Sequence, residues 1–148
     1  MIIQAQIDDL AAIKQCAELA YAPYVAAIGR KPAPMVADFA KLIFEKKVHI
    51  KKDGEQNLTG FIVFYPQSDV MHLENIAVMP FAHGMGIGRQ LMRYCEEQAI
   101  ALGLNSIELY TNEKMSANLA IYPKLGYLET DRRIEDGFHR VYFRKQLV

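Results

Sequence analysis

Apolar and polar positions change period several times along this chain, and each change marks an element. Ile2 to Ala5 is a short apolar run that predicts a first strand. Asp8-Asp9 supplies a cap and an acidic first turn, followed by Leu10, Ile13, Ala17 and Ala20 at helical spacing. Pro23, which has no amide proton, is expected to break or offset this helix near Ala22. Tyr21, Tyr24, Val25 and Ile28 continue as an irregular or briefly helical piece up to Gly29. Arg30-Lys31-Pro32-Ala33-Pro34 reads as loop, and a second helix is expected from roughly Val36 to Lys46. From Lys47 the period shortens. Val48-His49-Ile50, Leu58 to Tyr65 and Val70 to Val78 read as three strands joined by two polar turns, an antiparallel meander. Ile87, Leu91, Tyr94, Cys95, Gln98 and Leu102 return to helical spacing until Gly103. Ser106 to Tyr110 is a strand and, with a helix before it, should run parallel to the 70–78 strand. Ser116 to Lys124 reads as a short helix. Tyr127 to Ile134 and Phe138 to Lys145, around Glu135-Asp136-Gly137, form a terminal hairpin.

The order βα, α, βββ, α, β, α, ββ predicts an α/β (α+β) fold. It is a mixed, mostly antiparallel sheet of about six to seven strands flanked by about four helices. With 148 residues and no repeats or linkers, residues 1–148 are expected to form one domain. Charge is balanced in each half: residues 1–74 hold eight Lys/Arg and nine Asp/Glu, residues 75–148 nine and eight. No basic lobe exists to grip nucleic acid, so none is expected as a partner. Cys16 and Cys95 each sit in an apolar helical pattern, far from each other and from any His pair. They read as buried thiols in a reducing cytoplasm, with no disulfide and no metal site. No stretch has the length of a membrane span, and the N-terminus lacks the basic flank and long apolar core of a signal peptide. A cytoplasmic protein with no membrane partner is expected.

The stretch Val78-Met79-Pro80-Phe81-Ala82-His83-Gly84-Met85-Gly86-Ile87-Gly88-Arg89 joins the third meander strand to a helix. Glycine lets the backbone approach a ligand and take positive φ. The unpaired first amides of the helix, with its dipole, favour a phosphate or pyrophosphate. A Walker loop would close on Gly-Lys-Ser/Thr, whereas this one closes on Gly88-Arg89-Gln90. A dinucleotide fingerprint needs Gly-x-Gly-x-x-Gly, whereas these glycines fall at 84, 86 and 88. Glu108 lies at the distance of the fingerprint's acidic residue, but in mid-strand, and a meander does not suit a doubly wound fold.

Val78-x-Pro80-x-x-His83-Gly84-x-Gly86-Ile87-Gly88 resembles the acetyl-CoA pyrophosphate loop of the GCN5-related N-acetyltransferase superfamily. Asn118-x-Ala120-Ile121-Tyr122-x-Lys124-Leu125-Gly126-Tyr127 is similar to that superfamily's other recurrent motif. The pair is far more specific than either motif alone, and the element order matches across essentially the whole chain. The resemblance implies acetyl-CoA as co-substrate, without a metal. His83, Gly84, Met85, Gly86, Ile87, Gly88 and Arg89 would hold the pyrophosphate. Ile76, Ala77 and Val78 would offer backbone to the pantetheine in a split between the parallel strands, and Asn118 would hydrogen-bond it. Tyr122 would return a proton to the departing thiolate, a role that suits a phenol with a reference pKa of about 10. His83 departs from the family, which usually has Arg or Gln there. A histidine can still donate to phosphate, with full charge only at mildly acidic pH.

A base must also take a proton from the attacking ammonium. Glu74 is the first candidate, and His72, two residues earlier, shares its strand face. His139 and Tyr142 on the last hairpin are weaker ones. In this fold the loop from Tyr21 to Met35 and the terminal hairpin would frame the acceptor site, with Tyr21, Tyr24, Arg30 and Met35 as substrate-binding residues. The expected activity is therefore transfer of acetyl to a primary amine of a small molecule by direct attack. A protein N-acetyltransferase, or a CoA-binding sensor without turnover, is the alternative. An exposed terminal strand offers a homodimer contact.

Overall fold

The computed structural model describes residues 1–147 as one seven-stranded sheet and four helices. The strands are β1 (Ile2–Gln4), β2 (Val48–Lys52), β3 (Leu58–Gln67), β4 (Val70–Val78), β5 (Ser106–Asn112), β6 (Leu128–Glu135) and β7 (Phe138–Gln146). Their order across the sheet is β1-β2-β3-β4-β5-β7-β6. Every neighbouring pair is antiparallel except β4–β5, which is parallel. The last hairpin therefore inserts its second strand beside β5 and leaves β6 at the edge, exposed along nearly its whole length.

Alternation along the strands sends side chains into two cores. Phe61 and Val63 pack with α1 (Leu10–Ile28) and α2 (Phe39–Phe44), together with Ile13, Cys16 and Ile43. Ile62 and Phe64 pack on the opposite face with α3 (Ile87–Ala101) and α4 (Ser116–Lys124), together with Leu91, Cys95 and Tyr127. Gly60 brings α3 close to the sheet. A Cβ there would stand 2.8 Å from the Ala77 carbonyl oxygen and 3.1 and 3.2 Å from Ile87 and Leu91.

Two helices depart most from the expected bounds, while the strand ends differ by at most two residues. Helix α1 runs straight through Pro23 to a left-handed Gly29 cap. Leu19 and Pro23 are both exposed, so water can satisfy the carbonyl that loses its partner, and Tyr21 and Val25 keep the buried face continuous. Helix α2 starts at Phe39, later than the expected Val36, because the Asp38 carboxylate caps it by accepting from the Lys41 amide at 3.1 Å. A single 3-10 turn over Ala33–Met35 occupies the segment before it. No helix among the described residues is long and apolar enough to cross a membrane.

Candidate active site

Strand β4 carries an extra residue. Its pairing with β3 runs from Gly60↔Val78 to Val63↔Asn75 and resumes at Phe64↔Leu73, so Glu74 has no partner of its own. A bulge of this kind reverses which residues face which side. Before it, Met71 and Leu73 point to the α3/α4 core; after it, Ile76 and Val78 do, while Ala77 joins the α1/α2 core. The bulge also bends β4 away from β5. The parallel ladder covers only Met71↔Ile107, His72↔Glu108 and Leu73↔Leu109. Beyond it the strands part, and a cleft of about 780 Å³ opens that both strand ends line.

At one mouth of the cleft lies the glycine turn. Gly84 and Gly86 take φ of +80° and +76°, and nothing lies within 4 Å of where a Cβ on either would stand. Backbone conformation, not space, demands glycine there. Helix α3 makes its first bond from the Gln90 amide to the Gly86 carbonyl, 3.0 Å. The amides of Ile87, Gly88 and Arg89 precede that bond and are left for a ligand at the helix end. His83 and Arg89 are exposed and line the same mouth. The Met85 side chain is 59% exposed and does not line the cleft, so only its backbone belongs to the turn.

Midway, α4 brings Asn118 and Tyr122 to the cleft wall from the α3/α4 side. The Asn118 amide donates to the Thr111 hydroxyl at 3.1 Å, which anchors the helix start to the end of β5. Tyr122 packs against Tyr127 and Phe143, ring centroids 5.7 and 5.6 Å away. Burial pushes its phenol up to about 12, so the hydroxyl holds its proton at neutral pH.

Glu74 enters from the other face. It lines the cleft, half-buried, and its carboxylate accepts from the Tyr65 hydroxyl at 2.8 Å. His72 lies on the same face between the rings of Tyr65 (5.4 Å) and Tyr110 (5.9 Å), and Tyr110 in turn contacts Tyr142 (5.3 Å). Burial lowers the His72 pKa, and Nδ1 has no partner. His72 does not line the cleft. His139 faces Glu113 at 3.4 Å, and the Tyr142 hydroxyl donates to Glu135. Of the four candidate bases, Glu74 alone lines the cleft.

Tyr21 and Tyr24 of α1 line the same end. The Tyr21 hydroxyl donates to the Asn75 side chain at 2.7 Å and to the Ile76 carbonyl at 3.0 Å, and Asn75 donates to the Pro34 carbonyl at 2.8 Å. Burial raises the Tyr21 pKa far above its ordinary value. This residue thus ties helix, bulged strand and loop together. Two expected substrate contacts lie elsewhere. Met35 is a core residue among Phe39, Ile43 and their neighbours, placed there by the 3-10 turn. Arg30 lies over the Phe138 ring at 3.6 Å and donates to the Asp136 carbonyl, joining the α1 end to the hairpin outside the cleft lining. Asn75, Tyr110, Phe138 and Arg140 reach the cleft without having been singled out from sequence. Asn75 follows the bulge. The other three sit on β5 and β7, whose adjacency no local pattern announces.

A sheet split beside a bulge, with an amide cradle at one mouth of the split, is the build of an acetyltransferase. The chain belongs to the acetyltransferase (GNAT) family, whose model matches residues 13–127. A comparison with curated proteins finds no match. Among solved structures, the chain is similar to the ribosomal-protein-S18-alanine N-acetyltransferase of Escherichia coli. The two are 19% identical over 99% of this chain and 93% of that one, with TM-score 0.71. It is also similar to the PaiA N-acetyltransferase of Thermoplasma acidophilum in complex with coenzyme A, 17% identical over 99% and 98%, TM-score 0.74. Nourseothricin acetyltransferase is 21% identical over 68% of this chain and 65% of its own, TM-score 0.64.

Proposed function

We propose that the protein is an acetyl-CoA-dependent N-acetyltransferase acting on a primary amine of a small molecule by direct attack. The observation that carries this reading is the position of Glu74 and Tyr122 on opposite faces of the sheet, both lining the gap between β4 and β5. The residues fit a donor that carries a pyrophosphate. The amides at the start of α3 and the two positive-φ glycines form an anion cradle, and Asn118 and the unpaired edge of β4 beyond Leu73 flank the arm. Acetyl-CoA supplies an acyl group activated as a thioester. In the gap, a backbone amide near Ile76 polarises its carbonyl. Glu74 accepts the proton lost by the amine as the N–C bond forms, directly or through water. Tyr122 gives its proton to the leaving sulfur as the C–S bond breaks.

Thermal-shift titration with acetyl-CoA, followed by thiol release over a panel of amines, tests the reading. A raised melting temperature with amine-dependent thiol release is the expected result. Binding without release for any amine would assign the chain to CoA sensing, and release only with peptide N-termini would assign it to protein acetylation.

A further inference from the structure

The acceptor end of the cleft holds a cation as well as the Glu74 carboxylate. Strand alternation puts Tyr65, Glu74, Tyr110, Tyr142 and Arg140 on one sheet face, where the α1/α2 layer ends and the terminal hairpin begins. Arg140 lines the cleft, and its side chain is only 13% exposed. The guanidinium lies over the Tyr110 ring at 4.4 Å and near Phe138 at 5.7 Å. Its ion pair is a single 3.5 Å contact to Glu135, through the oxygen that also accepts from Tyr142. A guanidinium has five N–H donors in a planar fork built for two-point contact with a carboxylate. One long contact to a shared oxygen leaves most of that capacity without a protein acceptor, in a side chain that lines the cleft.

Tyr110 lies between the two charges. Its pKa is raised chiefly by burial, pulled down by Arg140 and pushed up by Glu74, so both charges act on one hydroxyl. Glu74 on β4 and Arg140 on β7 stand on either side of β5, which carries Tyr110.

We propose that the acceptor is a primary amine that also carries a carboxylate, with Arg140 binding the carboxylate while Glu74 faces the amine. This rests on the acetyltransferase reading and names the substrate class for the same site. Arg140 is a specificity residue here and takes no part in proton transfer.

The test compares free amino acids, of α-amino and ω-amino type, with their carboxamides in the thiol-release assay. The wild-type protein is expected to favour at least one acid over its amide by about tenfold or more in kcat/KM, the worth of a charge-assisted hydrogen bond. In Arg140→Gln that ratio should fall toward one, through a rise in KM for the acid. Equal or reversed preference in the wild type overturns the proposal without any variant having to fold. A ratio that survives in folded Arg140→Gln, or turnover of peptides above every free amino acid, overturns it too. Turnover of plain amines without regard to a carboxylate removes this inference and leaves the acetyltransferase reading standing; no turnover with any amine removes both.

Discussion

The Tyr65 hydroxyl donates to a Glu74 carboxylate oxygen at 2.8 Å, across the one place where β3 and β4 fall out of register. The bulge makes this contact available: Tyr65 pairs with His72, and the extra residue lets Glu74 turn back toward it while lining the cleft. Tyr65 therefore acts as a positioning residue for Glu74. Tyr65→Phe should lower kcat a fewfold and leave acetyl-CoA affinity unchanged. Glu74→Gln removes the proposed proton acceptor and should cost about a hundredfold or more. Steady-state kinetics beside equilibrium titration of acetyl-CoA check both, and a Glu74→Gln enzyme of full activity would remove Glu74 from its role.

Tyr122→Phe should lower kcat by about a hundredfold while sparing CoA binding, because the ring packing persists and only the proposed proton donor goes. The phenol, pushed up to about 12, keeps its proton well past its ordinary value of about 10. Tyr122 should therefore impose no alkaline fall in kcat below about pH 10. The stability consequence has a definite sign. Below the unfolded pKa both states hold the proton and the contribution is constant. As pH rises from about 10 toward about 12 the unfolded chain releases it first, and stability falls. Urea unfolding at high pH should show that loss weakened in Tyr122→Phe.

Asn75 is the shared partner of Tyr21 and the Pro34 carbonyl. Asn75→Ala leaves the Pro34 carbonyl without its donor and the buried Tyr21 hydroxyl with the Ile76 carbonyl alone, a cost of about 2 kcal/mol in urea unfolding. Tyr21→Phe keeps the Asn75–Pro34 bond and should cost about half as much. Asn75→Ala frees the loop over the cleft, so in that variant KM for the amine should rise more than KM for acetyl-CoA. Equal increases would show that the clamp holds the donor side instead.

Features carried by contiguous residues were legible in the sequence; those made by pairing were not. The glycine turn announced itself because Gly84, Gly86 and the first turn of α3 are neighbours in the chain, and the Asn118–Tyr127 segment is equally local. Pro23 misled because its effect depends on exposure: on a solvated face the missing hydrogen bond is replaced by water. The bulge at Glu74 has no residue signature, since it exists only in register with β3. Arg140 and Tyr110 meet only because β7 inserts between β5 and β6, an order that a hairpin read from sequence leaves undetermined. Gly60 carries no local signal either, because the close approach of α3 that it permits is a tertiary contact.

Gly60→Ala should be the most damaging small substitution outside the cleft. Its methyl would have to push the Ala77 carbonyl, on the strand that carries the bulge, from 2.8 Å. Overpacking of this kind costs about 1–3 kcal/mol. Because the displaced strand also forms a cleft wall, the variant should lose acetyl-CoA affinity as well as melting temperature. Unchanged affinity in a destabilised Gly60→Ala protein would separate the packing of α3 from the shape of the gap.

The turn from His83 to Arg89 offers a phosphate two kinds of contact, fixed amides and mobile side chains, and they respond differently to salt. Gly86→Ala forces a residue with a Cβ to take φ +76° at the cap of α3, at a cost of about 1–2 kcal/mol if the turn keeps its shape. If the turn relaxes instead, the amides lose their aim. With the turn relaxed, acetyl-CoA should bind more weakly, at low and high salt alike. Arg89 is exposed, so its attraction for the pyrophosphate is screened. Arg89→Ala should weaken binding a fewfold at low salt and hardly at all at high salt. His83→Arg places a permanent cation at the mouth and should tighten binding a fewfold, again only at low salt. Calorimetric titration of the three variants at two ionic strengths distinguishes the contacts. A salt-insensitive loss in Arg89→Ala would mean that its side chain seats the phosphate directly, and a wild-type affinity in Gly86→Ala with the turn relaxed would remove the backbone cradle as the main anchor.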